Sequence, residues 1–116
     1  VKHYASRINF SGPLSGFFIL TVPRNILSDM TKFFMGMEAA DVSETHLSGT
    51  ILEAINMIAG NTFSILDDQA VFNLEIPELL DAQSLSDTAG QTENEALYLQ
   101  IKTPSGRLGL QAQYCI

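Results

Sequence analysis

Two kinds of apolar periodicity divide the chain into strand-like ends and a helical middle. Near the N-terminus, HYASRINF and LSGFFILTV have the composition of strands and are joined by a turn-prone Ser-Gly-Pro at positions 11–13. Near the C-terminus, ALYLQIKT and RLGLQAQYCI alternate apolar and polar residues around Pro-Ser-Gly at positions 104–106. The chain is therefore predicted to begin and end with a β-hairpin.

The stretch between the hairpins predicts two helices. The first follows Pro23, which suits the first position of a helix, and stops near Gly36. Asp41, with Glu44 three residues later, resembles a capping arrangement and predicts a second helix from about residue 42 to about residue 59. The apolar residues of the first helix recur at helical spacing and are interpreted as core: Ile26, Leu27, Met30, Phe33, Phe34 and Met37.

A further strand and a polar loop are predicted between the second helix and the last hairpin. After a turn at residues 67–68, VFNLEI directs Phe72, Leu74 and Ile76 to one side and ends at Pro77. Residues 82–95 are polar and small, which is typical of an exposed, mobile loop. The element order predicts an α+β fold of two layers, with a largely antiparallel sheet and helices packed on one face.

Length and composition narrow the class of protein. With 116 residues, 46% of them hydrophobic, the chain is long enough for one domain with a real core. A net charge of −7 disfavours nucleic acid as a partner, and no apolar run is long enough to span a membrane. The N-terminal residues lack the apolar core of a secretory signal, and the single cysteine, Cys115, is expected to be a packed, reduced thiol. We therefore expect a cytoplasmic protein.

The second helix carries a polar pair on the side opposite its apolar stripe. At about 100° per residue, five residues point within about 40° of one direction and are expected to pack on the sheet: Leu47, Ile51, Ile55, Ile58 and Thr62. Glu53, Asn56, Gly49 and Gly60 point the other way, and Met57 offers an apolar contact beside them. Because an internal glycine costs roughly 1 kcal/mol relative to alanine, this outward side is predicted to admit a closely approaching partner.

Two interpretations of this outward side stay open at this point. Glutamate and asparagine on the outer face of a helix are ordinary solvated residues, and Gly60-Asn61 can be a C-cap. Gly49, in mid-helix, has no capping role and favours contact with a partner.

No other group of residues offers a competing chemistry. His3 and His46 lack neighbours at metal-ligand spacing, and Ser43 and His46 lack a nucleophile elbow. We therefore predict no metal and no cofactor of the protein's own.

The same residues resemble the CheC/CheX/FliY phosphatases of bacterial chemotaxis, and CheX most of all. That family has a Glu-x-x-Asn pair on an exposed helix, here Glu53 and Asn56, commonly preceded by Asp or Ser and followed about twenty residues later by Pro, here Pro77. Gly49 departs from the usual Asp or Ser. The order of GFFILTVP, FFMGME and INMIAGN also resembles CheX, over about residues 4 to 79. The resemblance implies one CheX-like domain over residues 1–116, without the N-terminal helix that family members usually carry.

The resemblance implies a phosphatase acting on the aspartyl phosphate of a CheY-like response regulator, which ends a chemotaxis signal. Asn56 would orient the hydrolytic water and Glu53 would pair with a lysine of the regulator, while Gly49, Met57 and Gly60 would contact it. Mg²⁺ is expected in the regulator, and a homodimer is expected through sheet edges, with the final strand as the candidate edge. The alternative is a non-catalytic module for regulator binding or dimerisation. Without the N-terminal helix, part of the sheet's apolar face is expected to be uncovered.

Overall fold

A computed structural model of the chain describes residues 2–66, 71–81 and 95–115. The elements in chain order are β1 (His3–Ser11), β2 (Ser15–Pro23), α1 (Arg24–Met35), a 3-10 turn (Ala39–Asp41), α2 (Glu44–Leu66), β3 (Asn73–Leu74), β4 (Glu78–Leu80), β5 (Glu95–Thr103) and β6 (Gly106–Cys115). Both predicted hairpins and both predicted helices are confirmed. The predicted turn at residues 67–68 and residues 82–94 of the predicted loop lie outside the described residues, whereas Glu95 begins β5.

The strands form one antiparallel sheet in the order β3-β1-β2-β6-β5, and β4 also pairs with β1. Strand register aligns Ile8 with Phe18 and Phe18 with Ala112, and these side chains share a core with Ile51 and Ile55 of α2. The core thus contains one of the two alternating sets of strand residues together with residues of both helices. This confirms the α+β architecture with helices on one face.

The prediction for α2 is right about the element and wrong about both ends. The helix begins at Glu44 and is capped by Ser43, whose Oγ accepts from the amide of His46 at 3.3 Å while its own amide donates to His46 Nδ1 at 3.1 Å. Asp41 lies in the 3-10 turn instead. The helix continues past residue 59 because Phe63 packs against Phe10 and Phe72, with ring centroids 4.7 and 4.2 Å away.

The prediction that every Phe and Met of the first helix belongs to the core is wrong. Ile26 and Leu27 are buried, but Phe33 is 85% exposed and Phe34 is about half exposed. An apolar stripe becomes core only where another element covers it. The last turn of α1 is incompletely covered, and it ends at Gly36 in the left-handed conformation.

The predicted strand over residues 71–76 is wrong in its extent. Only Asn73 and Leu74 pair with β1 there, and pairing resumes at Glu78, beyond Pro77. Proline lacks the amide donor that a continuous ladder requires, so the strand is interrupted at this point. As a consequence Ile76 does not follow Phe72 into the core and is 91% exposed.

At the C-terminal end of the chain, the strand at the sheet edge is β5 and not the final strand, because β6 lies between β2 and β5. The opposite edge is formed by β3 and β4, which both pair with β1. On the helix side of β5, Leu97, Leu99 and Ile101 are each about half exposed, which confirms the expectation of a partly uncovered apolar face. Cys115 is exposed, so the prediction of a packed thiol is wrong. Among the helices of the described ranges, none has the length and apolar character needed to cross a membrane.

A polar cluster ties together the starts of β1, α1 and α2. Tyr4 Oη donates to Glu44 Oε2 at 2.6 Å, Arg24 donates to the other carboxylate oxygen, and Lys2 Nζ lies 3.9 Å away. These hydrogen bonds, from Tyr4 first and Arg24 second, hold the pKa of the Glu44 carboxyl below its ordinary value of 4.5. Glu44 also carries its negative charge in the first turn of α2, where the helix dipole favours it.

Replacing Glu44 with Gln should lower the free energy of unfolding at neutral pH. Because the pKa of Glu44 is depressed in the folded state, its stabilising effect is complete above the unfolded value and is lost as the pH falls through the folded value. The difference between wild type and Glu44→Gln should therefore shrink below about pH 4.5. Urea unfolding at a series of pH values measures this, with Glu38→Gln as the exposed control. A difference that stays constant over the series would contradict the prediction.

Candidate active site

The outward ridge of α2 carries the polar pair predicted from the sequence. Glu53, Asn56 and Met57 are exposed, whereas Ile51 and Ile55 on the other side of the helix are completely buried. Neither Glu53 nor Asn56 has a hydrogen-bond or ion-pair partner within the described part of the chain. Both polar groups are therefore available to a molecule that approaches from solvent.

The two glycines of the ridge are not required by packing inside the protein. Among the described residues, a Cβ at Gly60 would meet nothing within 4 Å, and a Cβ at Gly49 would meet only the Cε of Met35, at 4.0 Å. Because α2 continues to Leu66, Gly60 lies inside the helix and the C-cap interpretation is wrong. Two internal glycines, each costing roughly 1 kcal/mol relative to alanine, thus flank the polar pair without an internal packing reason.

An open groove of about 460 Å³ runs along one side of this ridge. The helix contributes Gly49, Leu52, Glu53 and Asn56, and the opposite wall consists of residues 74–77. The groove unites the polar pair with Pro77, which the family resemblance had associated with it by spacing alone. The sequence analysis did not predict Leu52 or residues 74–76 as part of the site. For residues 74–76, the only signal in the sequence is that they directly precede Pro77.

The opposite wall is anchored to β1 through Glu75. Its amide donates to the carbonyl of Asn9 at 3.0 Å, and its carboxylate accepts from Asn9 Nδ2 at 2.9 Å. Asn9 Oδ1 in turn accepts from Arg7 Nε at 2.8 Å, and the Arg7 guanidinium lies 4.0 Å from the centroid of the Phe17 ring. These contacts hold the wall against β1 although residues 75–77, which connect β3 to β4, belong to no strand.

The residues of the groove suit positioning chemistry more than acid–base or metal chemistry. An asparagine amide accepts through its oxygen and donates through its nitrogen, so Asn56 can orient a water without removing its proton. Glu53, one helical turn earlier, can pair with a cation. Across the described ranges, no three His, Cys, Asp or Glu side chains come together as metal ligands.

Ser43 and His46 form no catalytic pair. Their side chains lie 3.1 Å apart, but both are engaged with backbone amides in the reciprocal cap of α2. His3 lies in β1, so the two histidines belong to separate elements.

Comparisons with solved structures show which fold this groove belongs to. The CheX–CheY–BeF3–Mg²⁺ complex from Borrelia burgdorferi is 18% identical with a TM-score of 0.73, over 96% of this chain and 75% of that chain. Chemotaxis protein CheX from Vibrio vulnificus is 14% identical with a TM-score of 0.77, over 96% and 74%. A chemotaxis protein CheX from Desulfovibrio desulfuricans is 16% identical with a TM-score of 0.74, over 97% and 73%. The chain is similar to these proteins in fold.

Comparison of the sequence itself identifies the family. No curated protein sequence matches the chain significantly. The family model described as "Chemotaxis phosphatase CheX" matches residues 4–99. This range includes all but the first residue of the N-terminal hairpin strands, both helices and the whole groove. The predicted resemblance is thereby confirmed, and the chain belongs to the CheX family of chemotaxis phosphatases.

Proposed function

We propose that this chain hydrolyses the aspartyl phosphate of a CheY-like response regulator and so ends a chemotaxis signal. The observation that carries the proposal is the Glu53–Asn56 pair, exposed and unpartnered within the described residues, beside an open groove in a member of the CheX family. The Borrelia relative, solved as a complex with CheY, BeF3 and Mg²⁺, supports the choice of substrate.

The proposed reaction needs little chemistry from this chain. A water oxygen forms a bond to phosphorus as the bond from phosphorus to the aspartate oxygen breaks, and inorganic phosphate and a free carboxylate are released. Catalysis of phosphoryl transfer consists mainly of positioning and charge stabilisation. Asn56 accepts a hydrogen bond from the water and donates to a phosphoryl oxygen, which aligns the water opposite the bond that breaks. The protein needs no cofactor for this role, and the Mg²⁺ belongs to the regulator.

The role of Glu53 is to position Asn56 relative to the phosphoryl group. Its carboxylate pairs with a lysine at the phosphorylation site of the regulator, and the rigid one-turn spacing then brings the amide over the phosphorus. Gly49 and Gly60 leave the helix surface bare where the regulator approaches, and Met57, 47% exposed, contributes an adaptable apolar contact.

Removing the side-chain amide of Asn56 should abolish catalysis but leave binding of the regulator intact. Asn56→Ala should lower the rate of phosphate release from a phosphorylated regulator about 100-fold or more, because the water loses its orienting group. Glu53→Ala should weaken binding and rate together. Phosphate release and binding are measured in parallel, and Asn61→Ala, at an exposed asparagine of the same helix outside the groove, is the matched control.

The same experiment separates an enzyme from a binding module. If the wild-type protein binds the phosphorylated regulator but does not accelerate phosphate release, the chain is a non-catalytic interaction module. If Asn61→Ala loses as much activity as Asn56→Ala, the effect is not specific to the proposed site.

Two substitutions of Gly60 test its effect on protein stability and its effect on access of the regulator separately. Gly60→Ala should raise the free energy of unfolding by about 1 kcal/mol at most, because the added methyl group meets no neighbour and helix propensity improves. Gly60→Leu should raise the KM for phosphorylated regulator several-fold, because a large side chain obstructs the approach. Urea unfolding and steady-state kinetics measure the two effects. An unchanged KM in Gly60→Leu would refute the role of Gly60 as clearance.

We further propose that residues 1–116 work as a single cytoplasmic domain that forms a homodimer through sheet edges. The nine-residue β5, which pairs only with β6 within the described part of the chain, supports an edge-to-edge contact.

Sedimentation equilibrium at micromolar concentration should give twice the mass of the chain. Leu99→Lys should shift the protein toward monomer, because it introduces a charge in the middle of β5. A wild-type protein that sediments as a monomer would contradict the proposed dimer.

A further inference from the structure

Ile76 has an exposed apolar side chain close to Glu53 and Asn56. It is 91% exposed and belongs to the wall of the groove that faces Glu53 and Asn56. Single exposed apolar residues are ordinary on protein surfaces. Ile76, however, lines the groove together with Leu74, which is 37% exposed, and this groove already holds the candidate active site. An exposed apolar surface in contact with such a site is typical of an interface.

The wall that carries Ile76 is held in place from behind. Glu75, the residue before Ile76, is hydrogen-bonded to Asn9 of β1 through its backbone amide and through its carboxylate. Leu74 is paired with Phe10 of β1. Pro77, on the other side, has a restricted backbone. Ile76 is therefore presented from a fixed segment, so a contact made by its side chain loses less conformational entropy than one made from a free loop.

The residues of the groove indicate the chemistry of the molecule that would fill it. Two acidic residues, Glu53 and Glu75, line it together with apolar side chains of both walls, and none of the described lysines or arginines does. A fitting partner therefore combines an apolar rim with a basic side chain. A phosphorylated receiver domain, whose acyl phosphate lies beside a lysine, meets this requirement and must in any case reach Asn56.

We propose that residues 74–77 form a second docking surface for the phosphorylated receiver, in which Ile76 buries its side chain against the rim of the phosphorylation site. This inference rests on the proposed function for the identity of the partner. The ridge of α2, through Glu53 and Asn56, already sets the direction in which the amide meets the phosphorus. A second contact across the groove adds buried apolar surface to the complex and so slows the dissociation of the receiver.

Truncating Ile76 should weaken binding without affecting catalysis by the bound complex. With a receiver loaded with BeF3 and Mg²⁺ as the probe, Ile76→Ala should raise the Kd about ten-fold. The KM for phosphorylated receiver should rise by a similar factor, and kcat should stay within about two-fold of wild type, because Asn56 is untouched. Since Ile76 is almost fully exposed, the variant should unfold at the same urea concentration as wild type.

Ile65 provides the matched control. It is an isoleucine of α2 with 85% exposure, and it lies nine residues, or about 13 Å, along the helix from Asn56. Ile65→Ala should leave Kd, KM and kcat unchanged. An equal loss of affinity in both variants would show a general effect of surface hydrophobicity and would overturn the inference.

The outcomes separate this inference from the proposed function. If wild type accelerates phosphate release and Ile76→Ala binds the loaded receiver as tightly as wild type, the second docking surface is refuted and the phosphatase stands. If wild type binds without accelerating release and Ile76→Ala weakens that binding, the docking surface stands and the phosphatase is refuted. If wild type does not bind the loaded receiver, both proposals are overturned.

Discussion

The packing of α2 onto the central strands determines the rest of the structure. Ile51 and Ile55 are completely buried against the sheet, and the Oγ of Ser6 in β1 donates to the carbonyl of Ile51 at 3.2 Å. Together these contacts fix both the position and the rotation of the helix. Because successive residues turn by about 100°, a helix fixed with Ile51 inward must present Glu53 and Asn56 to solvent. The candidate active site therefore lies on the side of α2 opposite the core.

The ridge lowers the intrinsic stability of α2, and the surrounding fold compensates for this. Gly49 and Gly60 lie inside the helix, where each costs roughly 1 kcal/mol relative to alanine, while Glu53 and Asn56 between them are exposed to solvent. The helix is secured at its ends instead. The reciprocal cap of Ser43 and His46 and the Glu44 cluster hold its start, and the aromatic packing of Phe63 holds the other end. Because its ends are secured, the middle of α2 can carry Glu53 and Asn56, the residues proposed to meet the response regulator.

Much of the fold could be predicted from the periodicity of apolar residues, and the errors of that prediction share one cause. The hairpins and helices follow from the alternation and spacing of apolar residues, which reflect burial directly. Phe33 and Ile76 also fit apolar patterns but are exposed, because a pattern does not reveal where the covering element ends. Likewise Asp41 offered plausible capping chemistry, but Ser43 caps the helix, and only the path of the chain after the 3-10 turn decides between them.

The sequence alone determined the polar pair and its direction. A single helix fixes the relation of Glu53 to Asn56 and of both to the apolar stripe, because these are short-range consequences of helical geometry. Only the tertiary structure decided that residues 74–77 face this pair across a groove and that Asn9 and Glu75 anchor that wall. It also decided that β5, and not the final strand, lies at an edge of the sheet. Those relations join residues far apart in sequence. They depend on strand order and register, which arise from packing the whole chain and leave no local pattern.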